Sequence, residues 1–150
     1  MIEIVRLREE HVEQLKEFFE AINSPSYTND FSPHPFDSPN AERVCGYRGK
    51  DKYFAILLNG DVVIGYGLLR GWDEGYAAPA IGLCVLKEYH GKGLGKLLLN
   101  FLETVSRVEG ASEVMLKVKK TNTAAISLYQ KQGFELKEYN DLFLIGRKRL

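Results

Sequence analysis

Gly91, Gly93 and Gly95 fall within five positions of the run YHGKGLGK, Tyr89 to Lys96, with Lys92 and Lys96 set among them. The run follows one apolar stretch, IGLCVL, and precedes another, LLLNFL. A strand that ends in a glycine-rich turn and opens a helix aims several backbone N–H groups at one spot, where the helix dipole adds partial positive charge. Phosphate is what such a spot binds; the alternative is a tight turn with solvated lysines. Two familiar phosphate loops do not fit, because the GxxxxGK[ST] spacing is absent and GKGLGK is not GxGxxG. Other groups can move protons. Tyr129 is a phenol that stays protonated at neutral pH and can act as an acid, or else packs as a helix-face aromatic. Trp72-Asp73-Glu74-Gly75-Tyr76 joins carboxylates to aromatic rings, which suits a cationic or sugar-like ligand or, alternatively, a solvated acidic turn. His34-Pro35-Phe36 offers an imidazole between prolines, as a base or as a hydrogen-bonding loop residue.

Helix and strand patterns alternate along the chain that must position these groups. Ile2 to Leu7 alternates as a half-buried strand does, and Val12, Leu15, Phe19 and Ile22 recur at helical spacing. The run from Ser24 to Pro39 holds four of the five prolines, which denies regular structure, yet Tyr27, Phe31 and Phe36 mark it as a loop packed on something. Ser38-Pro39 predicts a helix start, with the helix running to about Arg48. KYFAILL and VVIGYGLLRG flank Asn59-Gly60-Asp61 as a hairpin, and AIGLCVL, apolar on both faces, reads as a central strand. Leu94, Leu97, Leu98, Phe101, Leu102, Val105 and Val108 form a helical stripe closed by Gly110. A strand over SEVMLKVKK, a helix ending at Gly133 and a strand pair around Asn140-Asp141 complete the reading.

Composition narrows the partners. The 150 residues are enough to bury a core as one domain over 1–150, without metals or disulfides. Lysine plus arginine, 20, balance aspartate plus glutamate, 20, so no net field draws the protein to nucleic acid or to an anionic membrane, and a small partner is expected. No apolar run reaches membrane-span length, the N-terminus lacks a signal-peptide layout, and only Cys45 and Cys84 occur; a reducing cytoplasm is the expected location. A homodimer is left open.

Together, V-x-x-x-Y-H-G-K-G-L-G-K and N-x-A-A-I-x-L-Y-x-x-x-G-F, Asn122 to Phe134, resemble the two signature blocks of the GNAT superfamily of acyl-CoA-dependent N-acetyltransferases. The resemblance implies an α/β fold: a central mixed, mostly antiparallel sheet of about seven strands with helices on both faces. It implies acetyl-CoA as co-substrate and no metal. His90, Gly91, Lys92, Gly93, Leu94, Gly95 and Lys96 would hold the pyrophosphate. Leu83, Cys84 and Val85 would offer backbone to the pantetheine at a strand bulge, with Asn122 and Ala125 beside that arm and Tyr129 near the sulfur. Two positions depart from the pattern. His90 stands where the family usually has glutamine or arginine, and Lys117 stands where protein N-terminal acetyltransferases of the family place a glutamate base.

Amide formation from a thioester needs a neutral amine, a stabilised oxyanion and a protonated leaving group, but no covalent enzyme intermediate. Cys84 therefore reads as a small core residue, and Tyr129 as the proton donor. A lysine-like amine is neutral in about one molecule in 2,500 at pH 7, a penalty of roughly 4.6 kcal/mol, so a carboxylate base is wanted. Glu74, with the longer reach, is the expected base, and His34, Phe36, Trp72, Asp73 and Tyr76 are the expected acceptor contacts. The expected activity is acetylation of a primary amine on a small molecule, an amino sugar being one candidate. Protein N-terminal or lysine acetylation, a non-catalytic acyl-CoA sensor and a mononucleotide-binding protein are the alternatives.

Overall fold

Seven strands of this chain join in one sheet, and its central runs, Tyr53–Leu57 and Val63–Leu69, are buried on both faces. A computed structural model describes residues 1–150. In chain order the elements are β1 (Ile2–Arg6), α1 (Val12–Ile22), α2 (Pro25–Thr28), α3 (Ser38–Cys45), β2 (Lys52–Leu58), β3 (Val62–Arg70) and β4 (Ala80–Val85). Then follow α4 (Leu94–Val108), β5 (Glu113–Lys119), α5 (Thr123–Lys131), β6 (Glu135–Glu138) and β7 (Phe143–Arg149). The spatial order is β1-β2-β3-β4-β5-β7-β6, antiparallel except where β4 runs parallel to β5.

Tyr66 of β3 points to the face covered by α1, where its ring meets Phe19 edge-on at 5.4 Å. The adjacent Gly67 points to the opposite face, where an added Cβ would stand 3.1 Å from Leu98 of α4. Phe54, paired with Gly67, packs edge-on against Phe101 of α4 at 5.0 Å. Helices thus cover both faces, as the resemblance implies. The hairpin turns through three residues, Asn59-Gly60-Asp61, between the paired Leu58 and Val62, with Asn59 and Gly60 at positive φ, 52° and 80°.

Three local expectations are corrected. α3 is capped by Asp37, whose carboxylate accepts from the Asn40 amide at 2.9 Å, so Ser38 is already helical, and the helix stops at Cys45. In α4 the buried stripe takes in Leu99 and leaves Leu97 and Val108 exposed, because the helix sets Leu98 and Leu102 onto Gly67 of β3. The bulge expected in β4 is absent: β4 pairs with β3 in unbroken register from Ala80 to Val85. The register shift lies instead between β2 and β3, at Ile56/Leu57.

Leu98→Ala is expected to cost about 2–5 kcal/mol of stability in urea unfolding, while Leu97→Ala and Val108→Ala stay within about 1 kcal/mol. Equal losses at all three would mean that α4 seats the face read from periodicity alone.

Candidate active site

β4 and β5 touch at one rung, Ala80 opposite Met115, supported by a hydrogen bond from the Met115 amide to the Pro79 carbonyl at 3.0 Å. Beyond that rung they separate, and β4's edge from Ile81 onward has no strand partner on that side. A cleft of about 470 Å³ opens there, walled by β4, the start of α4, β5 and α5. An unpaired strand edge offers backbone donors and acceptors to an extended ligand.

The glycine turn closes one end of this cleft. Gly91 and Gly93 take φ of 76° and 86°, a region that excludes most side chains, and a Cβ at either would meet only open space. The amides from Gly91 to Lys96 find no acceptor in the protein; the first bond of α4 is from the Leu97 amide to the Gly93 carbonyl at 3.0 Å. These donors and the dipole of a helix that runs to Val108 converge where an anion would sit. The donor set fits a pyrophosphate. His90, Gly91, Gly93, Leu94, Gly95 and Lys96 line the cleft, whereas Lys92 does not. The His90 ring turns back on its own turn and donates from Nε2 to the Val85 carbonyl at 2.8 Å, so it braces the loop.

Along the walls, Leu83, Cys84 and Val85 line the cleft from β4. Burial pushes the Cys84 thiol up to about 12, which leaves it protonated and a poor nucleophile. Asn122 caps α5: its Oδ1 accepts from the Ala125 amide at 3.3 Å, and its amide nitrogen stays available to the cleft that both residues line. Tyr129 is buried against Phe134, ring centroids 5.8 Å apart, and burial raises its hydroxyl to about 12. That hydroxyl makes no hydrogen bond within the protein while its side chain lines the cleft.

The acceptor contacts expected from sequence lie elsewhere. Asp73 is consumed by its surroundings: it accepts from the Tyr47 hydroxyl and from the amides of Lys50 and Asp51, at 2.9 and 3.0 Å. The Tyr47 bond and then those amides hold its carboxyl below the usual range. Glu74 and Tyr76 are exposed, Trp72 is half-buried under Lys52, and none of the four lines the cleft. Their turn joins β3 to β4 at the Arg70–Ala80 end, where β4 still meets β5. His34 is likewise structural. Its Nδ1 donates to the Pro35 carbonyl and its Nε2 accepts from the Tyr66 hydroxyl, both at 2.8 Å, and burial pulls its pKa down. Phe36 belongs to the core, 5.2 Å from the Phe19 ring.

The proline-rich segment reaches the cleft through other residues. Phe31 lies over Gly82, where an added Cβ would come within 3.3 Å of its ring, and the Tyr27 hydroxyl accepts from the Lys87 amide at 2.9 Å. Between these two anchors Asp30 lines the cleft, the one carboxylate to do so, with Lys117 of β5 also on its wall. The sequence marked Tyr27 and Phe31 as aromatics needing a surface, but nothing local said that the surface was β4.

The fold is shared with solved structures. A GNAT-family acetyltransferase from Streptococcus pneumoniae superposes with TM-score 0.78 at 21% identity, covering 100% of both chains. The PaiA N-acetyltransferase of Thermoplasma acidophilum, solved in complex with coenzyme A, gives TM-score 0.77 at 22% identity, covering 100% of this chain and 99% of that one. Among curated proteins, the acetyltransferase SG1711 of Sodalis glossinidius is 29% identical over 98 residues, 65% of this chain and 66% of that one, just under two thirds of its length. The family model described as Acetyltransferase (GNAT) family matches residues 16–134, which takes in the glycine turn, the strand splay and the Asn122–Tyr129 helix. The chain belongs to that family of acyltransferases.

Proposed function

We propose that the protein moves acetyl from acetyl-CoA to the primary amine of a small molecule, by direct attack within a ternary complex, with an amino sugar among the candidate acceptors. The observation that carries this reading is the Tyr129 hydroxyl, held protonated by burial and unpaired in the protein, on the wall of a cleft whose far end is a pyrophosphate-shaped nest of amides. Coenzyme A thioesters supply an activated acyl group. The amides of Gly91 to Lys96 and the Lys96 ammonium hold the phosphates. The free edge of β4 and the Asn122 amide align the arm toward Tyr129. Tyr129 then gives its proton to the departing thiolate, and the dry setting that raises its pKa keeps that proton in place across neutral pH. Cys84 takes no covalent part.

On the acceptor side Asp30 replaces Glu74 as the proposed carboxylate. It attracts the ammonium and takes its proton, directly or through water.

Coenzyme A should raise Tm well above the shift given by equal NAD or ATP, and Gly93→Val should abolish the shift, because valine resists the φ of 86° and crowds the phosphate. A larger shift with NAD would overturn the cofactor assignment. Tyr129→Phe should lose ~10²-fold or more in kcat with little change in coenzyme A affinity, and the parent should show no loss of its acid up to about pH 10. A folded, fully active Tyr129→Phe would remove the hydroxyl from the mechanism. Asp30→Asn should reduce kcat/KM most at low pH, where free amine is scarce, and less toward the amine's own pKa, whereas Glu74→Gln should leave the profile parallel to the parent's. A pH-independent loss in Asp30→Asn would assign Asp30 to binding instead of proton transfer.

A further inference from the structure

Lys117 stands two residues beyond Met115, so strand alternation puts both side chains on the same face of the sheet, the face on which Phe31 covers Gly82. Its ammonium is held in place. Nζ lies 4.9 Å from the ring centre of Tyr139 and 5.1 Å from that of Phe143, two residues of the β6–β7 hairpin joined by a hydrogen bond from the Tyr139 amide to the Phe143 carbonyl at 3.0 Å. No carboxylate forms an ion pair with it. Glu138, the residue before Tyr139, is taken by Lys120 at 2.6 Å. Lys117 therefore brings an unpaired charge to a cleft whose lining also holds Lys87, its Nζ 4.7 Å from the Tyr27 ring and equally without an ion pair, and a single carboxylate, Asp30.

We propose that Lys117 receives an anionic group of the acceptor, so that the amine acetylated belongs to a molecule that also carries a carboxylate or a phosphate. The inference rests on the acetyl-transfer reading above. It follows from charge matching across the cleft. A plain ammonium or a polyamine satisfies Asp30 and is repelled by Lys117 and Lys87, whereas a molecule with both charges meets Asp30 with its ammonium and Lys117, on the β5 side, with its anion. Lysine suits either anion, since it binds as a point charge with rotatable donors and demands no planar, bidentate geometry. The two rings limit where the ammonium sits without neutralising it, so recognition needs little ordering of a long side chain on binding.

The test is a matched amine panel with thiol-release detection, each member compared at equal free-amine concentration. Amino acids are set against their carboxamides, and aminoalkyl and amino-sugar phosphates against the parent alcohols and sugars. A polyamine and a peptide with an acidic residue next to its N-terminal one are added as outer arms. The parent should favour one anionic series over its neutral partners by about tenfold or more in kcat/KM, and which series wins identifies the anion as carboxylate or phosphate. In Lys117→Met, which keeps an apolar stem against Tyr139 and Phe143, that ratio should collapse toward one through KM. Lys137→Met, which removes an exposed charge from β6, should keep it. A parent that prefers the neutral members or the polyamine, a Lys117→Met ratio equal to the parent's, or turnover confined to the peptide overturns the proposal. Coenzyme A binding with no turnover on any member overturns the acetyl-transfer reading itself, and this inference with it.

Discussion

The molecule depends on a strand pair that is barely made. β4 and β5 share one rung, at Ala80 and Met115, and the cleft lies in the separation that follows. Full pairing would have satisfied β4's edge and closed the sheet. With one rung, the edge stays open, α4 enters with its N-terminus toward the gap, and α5 sets Tyr129 along the opposite wall. The cost of unpaired backbone is tolerable because the edge faces a cleft open to water and ligand instead of a dry core.

Burial sorts the groups around this gap into useful and inert. Cys84 and Tyr129 are both raised to about 12 by loss of water, yet the same shift has opposite meanings. A thiol that stays protonated is disarmed as a nucleophile, whereas a phenol that stays protonated is preserved as an acid. Charge is sorted as well. The glycine-turn end of the cleft is built from neutral amides and Lys96, while Asp30, Lys87 and Lys117 carry the other charges of its lining.

Where a feature is decided by neighbours in sequence, it was legible. The Asn59-Gly60 turn, the glycine nest and the Asn122 cap are local chemistry, and each appears where the residues call for it. The order of elements and the two-faced sheet were readable for the same reason. Features set by distant partners were not. Asp73 looked free because its partners, Tyr47, Lys50 and Asp51, lie before β2. Asp30 carries no signal in the sequence, because its position follows from Phe31 resting on Gly82, a fit across two segments that no spacing announces. The splay implied by the resemblance is present, but it arises without a bulge in β4, where β4 and β5 stop pairing after a single rung.

The His34–Tyr66 bond has a consequence for how this sequence can drift. Tyr66 is fully buried, and the imidazole of His34 is the partner of its hydroxyl, so the two positions hold one hydrogen bond between the proline-rich segment and the centre of the sheet. Losing His34 alone strands the Tyr66 hydroxyl where water does not reach, whereas replacing both with apolar rings of similar shape leaves nothing unpaired. The order of change therefore matters: a lineage that loses His34 first crosses a destabilised intermediate, one that loses the Tyr66 hydroxyl first does not strand a fully buried group, and the aromatic layer around them constrains what the second change can be.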